Sequence, residues 1–128
     1  MTNLEIVQNL YLKFATGDIP AVLAALTEDV EWVMPGGAVL PFAGIWRGPQ
    51  EVAHMFGKLA AALTFEVFEP QEFISQGNTV VVIGRSRDRL QADNRVVELD
   101  WVAVIRLRDG KVARYQVYED TAVLVPQS

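Results

Sequence analysis

The side chains able to do chemistry in this 128-residue chain are few in kind. There is no cysteine, which removes disulfides, thiolate metal ligands and a thiol nucleophile together. The single histidine, His54, stands beside Met55 and Phe56. A lone imidazole with no Asp, Glu or His at ligand spacing makes no metal site, so an exposed or half-buried helix histidine is the plainer reading and no metal is expected. Ser75 and Ser86 have no histidine and acid arranged around them, so nucleophilic hydrolysis by a Ser-His-Asp triad has no support. Neither Gly-x-Gly-x-x-Gly nor a phosphate loop occurs, and no cofactor is expected. Carboxylates and arginines remain. The chemistry open to them is proton transfer or electrostatic orientation of a ligand.

Charge narrows the partners. Eleven Lys and Arg against sixteen Asp and Glu give a formal charge of −5. An acidic chain without a basic stripe is a poor nucleic-acid binder, because neutralising phosphates requires clustered cations. No apolar run approaches the roughly 18 residues a membrane helix needs, so no membrane partner is expected. The N-terminal stretch MTNLEIVQNLYLKF lacks the basic region, apolar core and cleavage site of a signal peptide, and a cytoplasmic location is the expectation. The length predicts one domain over residues 1–128, large enough to bury roughly two-thirds of its unfolded surface without a metal or disulfide.

The elements that must position these groups are led by a hairpin at residues 95–120. Two β-rich runs, residues 96–107 and 112–118, flank Asp109-Gly110, a pair suited to a type I′ turn. Upstream, Leu4, Val7, Leu10, Tyr11 and Phe14 recur at helical spacing behind a Thr2/Glu5 capping box. Gly17 ends that helix, and Asp18 with Pro20 starts a second, carrying Val22, Leu23 and Leu26. Thr27-Glu28-Asp29 is read as its break, and residues 30–34 as a short strand. Residues 35–49 read as irregular, with apolar Leu40, Phe42, Ile45 and Trp46 packed over a core edge or pocket mouth. A third helix spans residues 50–62, with Val52, Met55, Phe56, Leu59 and Leu63 on one face. Residues 64–69 and 71–75 are two short strands parted by Pro70. Gly77-Asn78 leads into a strand at 79–90, and Asp93-Asn94 returns the chain to the hairpin. Helices first and antiparallel strands after is an α+β pattern, with helices covering one face of a curved sheet.

With FATGDIPAVLAALTEDVEWVMPG, PFAGIWRGPQEVAHMF and LDWVAVIRLRDGKVARYQVYEDTAVL in this order and spacing, the chain resembles the nuclear transport factor 2-like superfamily. Within it, the chain is most similar to the SnoaL-like polyketide cyclase and ketosteroid isomerase-related branch. The resemblance covers about residues 4–124. It implies an α+β cone (a cystatin-like roll), in which a mixed or antiparallel curved sheet wraps three N-terminal helices around a deep pocket. It also implies a homodimer through the outer sheet face. It does not fix an activity, because the family spans isomerases, cyclases, hydrolases, dehydratases and members with no known chemistry.

The resemblance permits a residue-by-residue test. The ketosteroid isomerase tyrosine, strand aspartic acid and base fall at Leu10, Ala103 and Met34, none of which moves a proton. The limonene epoxide hydrolase Arg-x-Asp pair and last-strand aspartate fall at Arg85, Arg87 and Val117, of which only the first arginine matches. Asp120 is the nearest match to the SnoaL-type cyclase acid. If Arg85, Ala103 and Val117 face the pocket, alternation turns Val81, Ile83, Arg87, Leu99, Trp101, Ile105, Tyr115 and Glu119 inward. The resemblance thus implies Arg85, Glu119 and Asp120 as catalytic residues. It implies Trp32, Met34, Trp46, Ile83, Arg87, Leu99, Trp101, Ala103, Tyr115 and Val117 as the ligand-binding wall. An arginine beside Glu119 would hold a polar or anionic group of a mostly apolar ligand, or position Glu119 as a base. The structural alternative is an ordinary cross-strand ion pair. Val102 and Val104, facing outward, suggest burial against a second copy. Two functions stay open: isomerase-, cyclase- or hydrolase-type acid/base chemistry on a small molecule, or a non-catalytic ligand-binding or interaction module.

Overall fold

A computed structural model describes residues 1–126, so the last two positions of the expected 1–128 domain lie outside the described residues. The first helix, α1, spans Asn3–Ala15 and opens on the expected capping box. The Glu5 N–H donates to Thr2 Oγ1 at 3.1 Å and the Thr2 N–H donates to Glu5 Oε1 at 3.0 Å. Its buried face carries Val7, Leu10 and Tyr11. Gly17 leaves the helix with φ of 76°, and Asp18 caps α2, Ile19–Ala24, through the Ala21 N–H.

The strand β1 runs Leu26–Met34, earlier than expected, so Thr27-Glu28-Asp29 lies inside it rather than breaking the chain. A register irregularity between Leu26 and Glu31 absorbs these polar residues. Inside the segment read as irregular, Gly44–Arg47 forms β2, paired antiparallel to β1. The third helix, α3, is Gly48–Ala62 and starts two residues before the predicted boundary. Pro49 sits in its first turn, where a missing N–H is harmless.

The two short strands around Pro70 are one, β3, Leu63–Gln76. Proline is tolerated there because β3 is an edge strand, and register shifts fall at Phe65/Val67 and Pro70/Glu72. Next come β4, Thr79–Leu90, and β5, Val96–Arg108, then the turn with φ of 51° at Asp109 and 78° at Gly110, then β6, Lys111–Glu119. Positive φ at both turn residues is what a type I′ hairpin requires. A short 3-10 helix, Thr121–Leu124, follows.

The six strands form one sheet in the order β2-β1-β6-β5-β4-β3. Among the described residues only β1 and β6 run parallel; the other neighbours are antiparallel. The sheet is curved and unclosed, with the three helices against its inner face, as the α+β cone requires. The core joins Val7, Leu10 and Val22 of α1 and α2 and Val52, Met55 and Leu59 of α3 to Val80, Val82, Ala103 and Ile105 of the sheet. Among the described residues, no helix is long and apolar enough to cross a membrane.

Candidate functional site

Cross-strand register decides which side chains enter the cone. Trp101 of β5 is buried, and its partner on β4 is Gly84. Residues directly opposite share a face, so Gly84, Ser86 and Asp88 turn inward with Trp101. The burial of β4 agrees: Val80, Val82, Gly84, Ser86, Asp88 and Leu90 are buried, and the residues alternating with them are not. The inward parity inferred for β4 is therefore off by one residue. Arg85, Arg87, Val81 and Ile83 lie on the outer face, not in the pocket. There Arg85 pairs with Glu69 at 3.2 Å and Arg87 with Glu66 at 3.5 Å, in partly exposed bridges. The parity inferred for β5 and β6 holds for Leu99, Trp101, Ala103, Ile105 and Tyr115, which are buried.

The cavity is small, about 70 Å³. Tyr11 and Phe14 of α1, Trp32 and Met34 of β1, Phe65 and Phe68 of β3, and Trp101, Tyr115 and Val117 supply much of its aromatic and apolar wall. The rings are ordered against one another. Trp32 stacks on Tyr115, its parallel partner across β1 and β6, with centroids 3.8 Å apart and an 11° interplanar angle. Trp101 stacks on Phe68 at 5.0 Å and on Tyr11 at 5.8 Å, and those two rings lie 6.1 Å apart, closing a three-ring cluster. Gly84 makes room for that indole: a Cβ there would stand 2.5 Å from Trp101 Cε2 and 2.6 Å from the Glu69 carbonyl oxygen.

Three groups of polar atoms interrupt this wall. The Tyr11 and Tyr115 hydroxyls share a buried hydrogen bond of 2.5 Å. Ser86 and Asp88 come from β4 and Glu119 from the end of β6. Asp88 is 2 % exposed, and its Oδ1 has no hydrogen-bond partner. Burial pushes its carboxyl up to about 6, against a smaller opposing effect of the Ser86 hydroxyl. Burial also pushes Glu119 up to about 7, with the negative charge of Asp88 adding to the shift. Burial raises Tyr11 and Tyr115 as well, so both stay protonated at neutral pH. No Lys, Arg or His is among the lining residues. The result is a pair of carboxyl groups, without a counter-charge, that titrate near neutrality in an apolar cleft. One can hold a proton while the other is ionised, which is the division of labour acid/base chemistry needs. Among the described residues no group of three or more His, Cys, Asp or Glu is placed to hold a metal ion.

Of the expected site residues, Trp32, Met34, Trp101, Tyr115, Val117 and Glu119 line this cavity. Leu99 and Ala103 face inward but are packed into the core rather than the cavity wall. Trp46 stands outside the lining and donates its indole N–H to the Phe42 carbonyl at 2.9 Å, steadying a loop residue that does line it. Asp120 instead caps the 3-10 helix, accepting from the Ala122 N–H at 3.2 Å. Asp88, Ser86 and Tyr11 were not singled out by the sequence as site residues. Asp88 carried a signal: in Arg85-Ser86-Arg87-Asp88-Arg89-Leu90 the arginines occupy every second position, a solvent-facing pattern that turns the aspartate inward. Tyr11 lies one residue beyond Leu10, where the resemblance aligned the helix tyrosine.

Known proteins place this geometry. The family model described as SnoaL-like domain matches residues 7–115. The crystal structure of an NTF2-like protein from Burkholderia xenovorans is 36% identical with a TM-score of 0.86, over 95% of this chain and 92% of that one. One from Burkholderia pseudomallei, of unknown function, is 30% identical with a TM-score of 0.91, over 99% and 100% of the two chains. TerC, co-crystallised with polyporic acid, is 30% identical with a TM-score of 0.85, over 94% of this chain and 93% of that one.

Proposed function

The chain belongs to the SnoaL-like domain family, and from that premise we propose that it binds a small, flat, mostly apolar ligand in its cone and moves a proton on it with Asp88 and Glu119. The observation that carries this reading is the buried Asp88 carboxyl on the cavity wall, with an unpartnered oxygen and Glu119 as its electrostatic neighbour. A structural acid would have been paired, as Glu66 and Glu69 are on the outer face. The ionised carboxylate takes a proton from an activated carbon or hydroxyl of the ligand, and the protonated partner returns one elsewhere. No atom is gained or lost, as in an isomerisation or ring closure. The aromatic lining suits a planar ring system, and the likeness to TerC, crystallised with polyporic acid, supports that class. An anionic ligand fits less well than a neutral one, because the lining offers two carboxyls and no cation.

The test begins with native mass spectrometry of the purified chain for a co-purifying ligand, followed by turnover assays on that compound and its isomers. Asp88→Asn and Glu119→Gln should each lower turnover by about 10²- to 10⁴-fold. Unchanged turnover in both would remove the pair from the mechanism. The second reading, a binding module without catalysis, draws on Met34 and Ala103. These apolar residues stand where relatives with steroid isomerase chemistry place acids. Under that reading the co-purified ligand leaves the protein chemically unchanged.

The outer sheet face fits a second copy of the chain. Val81 lies opposite Val104, and Ile83 opposite Val102, so four half-buried aliphatic side chains form one patch. Ile83, expected in the pocket, adds to it. Sedimentation of the wild type and of Val102→Lys at micromolar concentration checks this: a dimer that the lysine dissociates is the expected outcome.

A further inference from the structure

Phe42 and Leu63 each line two hollows. One is the cavity of about 70 Å³ that carries Asp88 and Glu119. The other, about 340 Å³, lies between the loop at Val39 to Phe42, the end of α3, the β4–β5 turn and Leu124 of the 3-10 helix. Its lining holds no charged residue among those described, and the amide of its Gln91 is spent on the Thr64 hydroxyl. Neither hollow suits a ring-bearing ligand alone. An apolar cavity of about 150 Å³ holds a benzene ring. The first hollow has less than half of that, although the acids stand on its wall. The second has more than twice as much, yet offers no group that moves a proton. Of the two shared residues, Leu63 is fixed: it opens β3, pairs with Leu90, and its N–H closes α3 on the Leu59 carbonyl. Phe42 sits in a turn outside the sheet. The Trp46 indole N–H holds its carbonyl at 2.9 Å, which fixes the backbone and leaves the side chain free to change rotamer. The far wall is fixed as well. Arg95 donates to the Val125 carbonyl at 2.8 Å and the Val123 carbonyl at 3.4 Å, pinning the segment that carries Leu124.

We propose that the second hollow is a subsite of the same binding site, parted from the first by the Phe42 ring, and that it takes an uncharged apolar substituent of the ligand. The head of the ligand lies against the acids, Phe42 turns aside, and the tail runs past Leu63 toward Leu124. Phe42 thereby sets the length of ligand that the site accepts. This rests on the reading of the cone as a ligand site and deepens it. The occupant follows from continuity: the two hollows share walls, and the lining of the second, apolar and without charge, matches an alkyl or aryl group. Val39, 58 % exposed, stands at its rim, so a long tail has a way out to solvent.

The test uses 4-methyl-, 4-butyl- and 4-hexylphenol, whose heads, like a tyrosine side chain, are uncharged at neutral pH. Dissociation constants are measured by calorimetry on the full chain. In the wild type, affinity should rise about threefold per added methylene. Ala61→Trp and Ala92→Trp each fill the second hollow from a position that is exposed and absent from the first. Both should flatten that rise while leaving 4-methylphenol as it was. Phe42→Ala removes the partition and should tighten 4-hexylphenol by about threefold or more relative to 4-methylphenol, because no ring then has to turn aside. In the wild type, nuclear Overhauser contacts should join the hexyl tail to the Leu124 methyl groups and the phenol ring to Trp32 and Trp101, which decides even if a variant does not fold. If the rise with tail length is the same in the wild type and in both filled variants, the subsite is wrong while the cone remains a ligand site. If the filled variants weaken all three compounds alike, the hollow is a passage and not a subsite. A changed oligomeric state of Ala61→Trp in sedimentation would assign the hollow to a second copy of the chain and overturn the inference. If none of the phenols binds, the reading of the cone as a site for ring-bearing ligands fails with it.

Discussion

The two faces of β4 use charge in opposite ways. Outside, Arg85, Arg87 and Arg89 meet Glu69 and Glu66 across the edge of the sheet, and every one of these groups has a partner of opposite sign. Inside, one residue along, Asp88 and Glu119 share a sign and face no cation among the lining residues. The outer arginine at 85 is held more firmly charged by its partner Glu69, whereas the inner acids are pushed toward their neutral forms by burial. Neighbouring positions on one strand thus separate a solvated, self-neutralised surface from a chemically poised interior. The unpaired charge, rather than the visible ion pair, marks the site.

The largest consequence concerns pH. Asp88 and Glu119 bind their protons more tightly in the folded chain than in the unfolded one. The stability they allow is therefore complete below about pH 4 and is lost as pH rises through about 6 and 7. For Asp88 the rise from 3.8 to about 6 corresponds to roughly 3 kcal/mol. Asp88→Asn should therefore melt higher than the wild type at pH 8 and at about the same temperature at pH 4, as thermal scans at the two pH values would show. Destabilisation at pH 8 would break the contrast, because it would mean that the carboxylate is satisfied after all. The next effect is steric. Gly84→Ala places a methyl group between the Trp101 ring and the Glu69 carbonyl, with backbone on one side and little room on the other. A loss of about 1 to 3 kcal/mol in urea unfolding is expected. The displaced indole should also weaken binding of the co-purifying ligand, since Trp101 lines the cavity.

How much of this was legible depends on what kind of signal each residue carried. The hairpin was readable because Asp109-Gly110 is a local code, and α1 because Thr2 and Glu5 cap each other within four residues. The parity of β4 was legible only in its second half, where arginines alternate at 85, 87 and 89. Val80 to Ile83 is apolar on both faces, since one face meets the core and the other forms the Val81–Ile83 patch, so alternation gave no contrast there. Register was carried instead by the nonlocal pairing of Gly84 with Trp101. The single strand through Pro70 was hidden for a related reason: proline breaks a strand only where its N–H is needed, and edge position is a property of the whole sheet. For the site, Glu119, Trp101 and Tyr115 were found because β5 and β6 follow the hairpin's own register. Asp88 was missed with β4, and Asp120 was taken for an acid when its local use is to cap the 3-10 helix.

A smaller effect lies in the tyrosine pair. Tyr115→Phe keeps the ring stacked on Trp32 and removes only the hydroxyl, leaving Tyr11 without its partner. About 1 kcal/mol should be lost in thermal unfolding. Adding Tyr11→Phe should cost less than the first substitution did, because the orphaned hydroxyl leaves with it. Additive losses would show that the two hydroxyls are not bonded to each other.

The smallest expected effect bears most directly on the contrast between the faces. Arg85 bonds Glu69 on the outer surface, where water screens both partners, so Arg85→Ala should leave the melting temperature nearly unchanged. It should also leave turnover and ligand affinity as they are, since Arg85 is absent from the cavity wall. Because a guanidinium acts over distance, a null result matters more than its size suggests: it shows that the sheet insulates the inner acids from a cation on its opposite face, three residues from Asp88. If Arg85→Ala instead lowered turnover as far as Asp88→Asn does, or shifted the pH at which Glu119 titrates, the two faces would be electrostatically one. The arginine would then regain the role of counter-charge that the register of β4 denies it.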